Sequence, residues 1–94
     1  SCNRLHDEWQ EYKKSESDSS KNEWVEGFYL GYIYAFTDTF KSLGTINFPQ
    51  NGKKGQYATI VGNWLERHPE QWQEDRAICV ALALIEAFGL KEQP

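Results

Sequence analysis

Residues 24–40 read Trp24-Val25-Glu26-Gly27-Phe28-Tyr29-Leu30-Gly31-Tyr32-Ile33-Tyr34-Ala35-Phe36-Thr37-Asp38-Thr39-Phe40. Trp24, Phe28, Tyr32, Phe36 and Phe40 recur every four residues, which on a helix makes one aromatic ridge. Gly27, Gly31 and Ala35 recur at the same spacing and form a neighbouring ridge of small residues. Such a ridge lets another helix approach closely, and a helix apolar almost all round must be covered on every side. A chain of 94 residues can barely supply that cover. The stretch therefore predicts a compact helical body that also buries a surface against a partner.

Upstream of this helix, Cys2, Leu5, Trp9 and Tyr12 fall at helical spacing and predict a first helix with Cys2 on its buried face. Residues 15–22 are polar and serine-rich and read as a loop. Ser20 and Glu23 have capping-box spacing, which would start the central helix near Lys21, and Gly44 is its natural stop. Residues 45–53, with Pro49 and Asn51-Gly52, form a turn-rich connection. Tyr57, Ile60, Val61, Trp64 and Leu65 then mark a one-faced amphipathic helix running to about Arg67. His68-Pro69-Glu70 breaks it, and a last helix is expected from Pro69 to about Phe88, ended by Gly89. Its part from Ala77 to Phe88 is apolar all round except for Glu86. No segment alternates like a strand.

The expected fold class is all-α, a compact bundle of about four helices in one domain spanning 1–94. Two helices apolar on all sides are one more than a bundle this small can bury. A homodimer or a tight heteromeric contact would resolve the surplus; the alternative is that the helices splay around a monomer core.

Aromatics make up 15% of the chain and charged residues 26%, so it can fold around a modest core. The net charge of −4 argues against nucleic acid and anionic membrane surfaces and is compatible with a basic protein partner. The apolar run from Phe28 to Phe36 is too short to span a bilayer, which takes roughly 20 residues. The chain starts at Ser1 rather than Met, which predicts an upstream segment removed as a signal peptide or left out in cloning.

Two cysteines allow at most one disulfide. A bridge from Cys2 to Cys79 would tie the ends of the fold together, contribute about 4 kcal/mol in the chain-entropy model and imply an oxidising compartment such as the periplasm. Two alternatives stand beside it: both cysteines are reduced core residues, or Cys2 is a lipid-modified N-terminal cysteine that anchors the chain.

No catalytic set is legible. The histidines are His6 and His68, and His68 sits at a helix junction where capping is its expected task. Cys79 lies among Ile78, Val80 and Leu82, a setting for an inert thiol. HExxH, CxxC and phosphate-loop patterns are absent; Gly52-Lys53-Lys54-Gly55 lacks the spacing of a phosphate loop. Glu70, Glu74 and Asp75 read as solvated helix-start carboxylates rather than a metal cluster. No cofactor or metal is expected.

The order of elements resembles the Rap/Tai family of type VI secretion immunity proteins. The residues that carry the likeness are Gly31-Tyr32-Ile33 with Asp38, Phe48-Pro49, Gly55-Gln56, the run from Val61 through Trp64-Leu65 to His68-Pro69-Glu70, and Ala81-Leu82 through Ala87-Phe88. They cover about residues 24–89 in the family's order and spacing. The resemblance implies a small, all-helical, periplasmic and often dimeric inhibitor. It would bind and block an injected peptidoglycan amidase, and the nearest likeness is to the fourth Tai group, whose amidases have a papain-like Cys–His site. It implies no chemistry of the chain's own. Two features depart from the family pattern. Relatives often carry cysteines near the positions of Tyr29 and Asn47 here, so Cys2 and Cys79 would stand in for that bridge elsewhere. Lys53 stands where relatives have a capping Thr, so Asn51 would have to cap the third helix.

The candidate partner contacts are exposed polar residues at helix junctions, where loops can enter a cleft. They are Gln50, Asn51, Lys53 and Lys54 at one junction, and Glu66, His68, Glu70 and Glu74 at the other. Two other classes of function compete with the immunity reading. One is a periplasmic helical chaperone or adaptor with many weakly bound clients; the other is a cysteine-dependent hydrolase.

Overall fold

The first helix begins where Ser1 accepts the Arg4 amide on its hydroxyl, and the last ends at Gly89, whose positive φ of 78° suits a residue without Cβ. Between them the computed structural model, which describes residues 1–92, has four helices: α1 Cys2–Lys13, α2 Glu23–Leu43, α3 Lys54–Arg67 and α4 Arg76–Phe88. A 3-10 turn, Pro69–Gln71, follows α3. The all-α expectation holds. The one extended pairing among the described residues is an isolated antiparallel bridge between Ile46 and Leu90.

Each helix brings one face to a common core. Leu5 and Trp9 come from α1, Tyr29 and Ile33 from α2, Tyr57, Val61 and Leu65 from α3, and Val80, Ala83 and Leu84 from α4. The Tyr29 hydroxyl donates to the Ala58 carbonyl in this interior, and burial pushes its pKa up. α1 lies directly on the backbone of α3 at Gly62, where an added Cβ would come within 2.1 Å of the Trp9 ring. Cys2 and Cys79 are joined as a disulfide, with Cα atoms 6.2 Å apart. Of the three states open to the cysteines, the bridged one is present, and it fastens the start of α1 to α4.

The polar loop before α2 is held by Lys21. Its ammonium donates to the Lys14 carbonyl at 3.0 Å and to Glu16 and Glu26 at 2.9 and 2.5 Å. Glu26 and then Glu16 raise the Lys21 pKa. This arrangement also moves the helix start. Ser20 bonds back to Asp18, so it does not cap α2 as its spacing suggested. Asn22 caps instead, its side-chain oxygen accepting from Trp24 and Val25, and α2 begins at Glu23. Gly44 ends α2 at φ 70° as expected.

Two further boundaries differ from expectation. Asn51 does not cap α3; Lys53 is the cap residue, and the Gln56 side chain accepts its amide at 3.3 Å. The last helix starts at Arg76, not Pro69. The cause is α1, whose first amides need acceptors. Cys2 N–H donates to the Glu74 carbonyl and Asn3 N–H to the Trp72 carbonyl, both at 2.8 Å. Those carbonyls point at α1, so residues 72–75 cannot join the last helix.

The molecule measures 51 × 30 × 17 Å between Cα atoms along its principal axes. Seventeen ångströms accommodate two helix layers at 8–10 Å spacing and no third. α2 buries Tyr29, Ile33 and Thr37 on one side. On the other, Trp24 is 80% and Phe28 57% exposed. α4 likewise leaves Ile78 and Leu82 in contact with solvent. The chain does not cover either helix completely.

Candidate partner-binding surface

The turn before α3 is set by a close approach. The amide of Gly52 donates to the Pro49 carbonyl at 3.3 Å, and a Cβ at Gly52 would lie 1.9 Å from the Tyr57 hydroxyl. The turn lies flat on Tyr57 and presents Gln50, Asn51 and Lys53 to solvent. Lys54 is tied back to α2. Its ammonium is 3.3 Å from Asp38 and stands 5.2 Å from the centre of the Tyr34 ring.

At the far end of α3 the residues named from sequence divide into two groups. Glu66 faces α1 and accepts from Trp9 Nε1 at 3.0 Å, from Gln10 at 3.3 Å and from Lys13. Lys13 and then Trp9 hold its carboxyl below the usual carboxylate range. Its work is to tie α1 to α3. His68 stacks on Trp64 with ring centres 4.3 Å apart, and its Nδ1 lies 2.8 Å from Glu70. That contact lowers the Glu70 pKa, and the carboxylate stays at the surface. Glu74 is exposed, and its carbonyl serves the Cys2 amide.

The two groups sit at opposite ends of α3, whose 14 residues put about 20 Å between them. They do not form one compact patch. Each is a separate polar projection: a neutral and basic turn at one end, an acidic junction at the other.

A third surface went unnamed among the site residues. A groove lined by Arg4, Glu8, Gly27, Phe28, Gly31 and Tyr32 runs along α2, with Arg76 at its edge. The small ridge forms its floor, and a Cβ at Gly27 or Gly31 would meet no atom within 4 Å. Glu8 is the unusual member. Its side chain is only 6% exposed, and its buried Oε1 has no hydrogen-bond partner among the described residues. Arg4 Nε stands 3.7 Å from one carboxylate oxygen and Arg76 Nη1 3.8 Å from the other, beyond hydrogen-bonding length. The sequence did signal the floor, through its spacing of glycines. Glu8 stands three residues after Leu5 and four before Tyr12, so the spacing that marks the buried face of α1 also signals its burial.

Both cysteines are in the disulfide, so a cysteine-dependent hydrolase would have no thiolate in this state. His6 stacks on Trp72, with ring centres 4.2 Å apart. Among the described residues no group of three His, Cys, Asp or Glu side chains is placed to hold a metal ion, and no helix is long and apolar enough to cross a membrane. What the chain offers is shape, charge and exposed apolar area, the means of a binding protein.

Comparison with curated proteins and with solved structures gives no match. The family comparison does, and it spans every helix described above: over residues 1–89 the chain matches, and belongs to, the Rap1a immunity proteins.

Proposed function

We propose that the chain, acting as one domain over 1–94, is a periplasmic immunity protein. It binds a type VI secreted peptidoglycan amidase and blocks that enzyme's papain-like Cys–His site by covering it. The family match over residues 1–89 carries the reading. The disulfide supports the compartment, since such bridges persist where the surroundings are oxidising. Inhibition is steric: the inhibitor holds a rigid surface over a cleft and supplies no reacting group. The active unit is a homodimer, a reading supported by apolar helix surface that one copy leaves bare.

Gln50, Asn51, Lys53 and Lys54 form one proposed contact, a turn backed by Tyr57 and therefore pre-shaped before binding. Glu66, His68, Glu70 and Glu74 form the other. Acidic groups there would speed association with a basic cleft rim.

The test mixes the purified protein with a candidate peptidoglycan amidase, reads complex mass by light scattering after size exclusion, and follows cell-wall hydrolysis. A complex of two inhibitor chains with enzyme, and hydrolysis abolished, is the expected result. Free hydrolysis and no complex would reject the amidase reading and favour the chaperone or adaptor alternative, for which the exposed Trp24 and Phe28 would serve as client contacts. Lys53→Glu and Glu70→Arg should each weaken the complex more than about tenfold. Unchanged affinity in both would remove these two junctions from the interface.

A further inference from the structure

A recess at the end of α2 is framed by backbone pairing between distant segments. Ile46 bridges Leu90, the Asn47 N–H donates to the Gly89 carbonyl, and the Lys91 N–H donates to the Thr45 carbonyl, the last two at 3.0 Å. This pairing carries Lys91, from beyond α4, to the recess that Lys41 lines from the last turn of α2. Phe48, Pro49 and Gln50 form its other wall.

The charges around it have one sign. The chain has 14 carboxylate side chains for 10 lysines and arginines, so cations are not short of partners. Among the described residues every lysine and arginine but three stands within 3.8 Å of a carboxylate. The three are Lys41, Lys53 and Lys91. Lys41 and Lys91 line the recess, Lys53 belongs to the adjoining turn, and no carboxylate side chain lines the recess. The C-terminal end of α2 favours a cation at Lys41 but accounts for neither of the other two. Lys41 is also held in place: its ammonium stands 5.8 Å from the centre of the Phe48 ring and 5.3 Å from that of Tyr57.

An ammonium group only donates, so two of them in one recess call for an acceptor that carries negative charge. Phe48 and Pro49 offer apolar surface for a short stem behind that charge. The net charge of −4 repels a polyanion, whereas a single carboxylate on a protein meets the local positive field. We infer that this recess is the socket for an aspartate or glutamate side chain of the partner protein, its carboxylate received by Lys41 and Lys91 and its methylene groups by Phe48 and Pro49. This gives the contact at Gln50 a partner chemistry, and it rests on the proposed function.

The test uses the amidase that the unaltered protein binds. In 0.1 M salt, Lys41→Gln with Lys91→Gln should weaken the complex at least about tenfold. In 1 M salt the difference should shrink to about threefold or less, because the screening length falls to about 3 Å. Lys41→Arg with Lys91→Arg keeps both charges and should bind within about threefold of the unaltered protein at either salt. Both side chains are exposed, so neither pair of substitutions should move the urea midpoint. Undiminished affinity in the glutamine variant, or a loss that salt does not reduce, overturns the inference and leaves the immunity reading standing. Failure of the unaltered protein to bind an amidase overturns both. Binding to phosphatidylglycerol vesicles that the glutamine variant loses while its amidase affinity is unchanged overturns the inference and gives the recess to a lipid surface.

Discussion

Breaking the Cys2–Cys79 bridge is the perturbation with the largest calculable effect. The bridge spans 77 positions of sequence, nearly the whole chain. Closing a loop of that length removes denatured-state entropy worth about 4.5 kcal/mol at 25 °C. A domain of this size has a total stability of about 5–14 kcal/mol, so the bridge is a third or more of it. The native fold loses little when the bridge opens, because α1 keeps its amide bonds to the Glu74 and Trp72 carbonyls and its packing of Leu5 and Trp9. The effect should therefore appear through the unfolded state.

Urea unfolding of the oxidised protein, the reduced protein, Cys2→Ala, Cys79→Ala and the double variant measures it. With a slope of about 1–3 kcal/mol/M, the midpoint should fall by about 2 M in all four altered forms. The pattern among the variants decides the cause. Each single substitution already abolishes the cross-link, so the double should cost hardly more than either single, a coupling of nearly the full effect. If the two single losses simply added, the cost would come from packing around two buried side chains and the chain-entropy account would be refuted. A reduced protein within about 1 kcal/mol of the oxidised one would refute it as well.

Three smaller perturbations test the packing and charges. Tyr29→Phe removes a buried hydroxyl that donates to the Ala58 carbonyl and should cost about 0.5–1.5 kcal/mol in the same urea assay. Gly62→Ala forces a methyl group into the Trp9 ring and should cost about 1–3 kcal/mol, whereas Gly55→Ala, with open space at its Cβ, should change stability by less than about 1 kcal/mol. Glu66, Glu70 and Glu86 all have pKa values lowered in the fold, by Lys13, His68 and Arg67 respectively as first partners. Their contribution is therefore present above the ordinary carboxylate pKa and lost as pH falls through the lowered values. Glu66→Gln should lower stability at neutral pH and flatten the loss on acidification; an unchanged acid limb would show that this carboxylate is not involved.

Helix existence was legible in the sequence wherever apolar spacing ran for several turns. α2 and α3 appear within two or three residues of where Trp24 to Phe40 and Tyr57 to Leu65 put them. The misplaced starts share one physical cause, competition for hydrogen bonds by residues distant from the local pattern. Residues 69–75 look like a helix beginning at a proline, but the carbonyls of Trp72 and Glu74 serve the amides of Asn3 and Cys2. Ser20 has a capping position in sequence, yet Asp18 takes its hydroxyl, and Asn22 inherits the cap. Sites were less legible than elements. Glu66 looks like a free surface carboxylate at a helix end, and only the fold brings Trp9, Gln10 and Lys13 onto it. Glu8 shows the converse: a carboxylate on the spacing of Leu5 and Tyr12, which the fold buries beside a groove.

The glycines of α2 and α3 differ in what the chain gains from them. Inside a helix each glycine costs about 1 kcal/mol relative to alanine. At Gly62 that cost has a return within the chain, since the Trp9 ring occupies the space of the missing Cβ. Gly27 and Gly31 have no such return: the space above them is empty. Helix α2 is also the longest element, 21 residues or about 31 Å, against 12 to 14 residues for each of its neighbours. The longest helix thus carries two glycines whose propensity cost no contact among the described residues offsets, whereas that of Gly62 in α3 is offset by the close approach of α1.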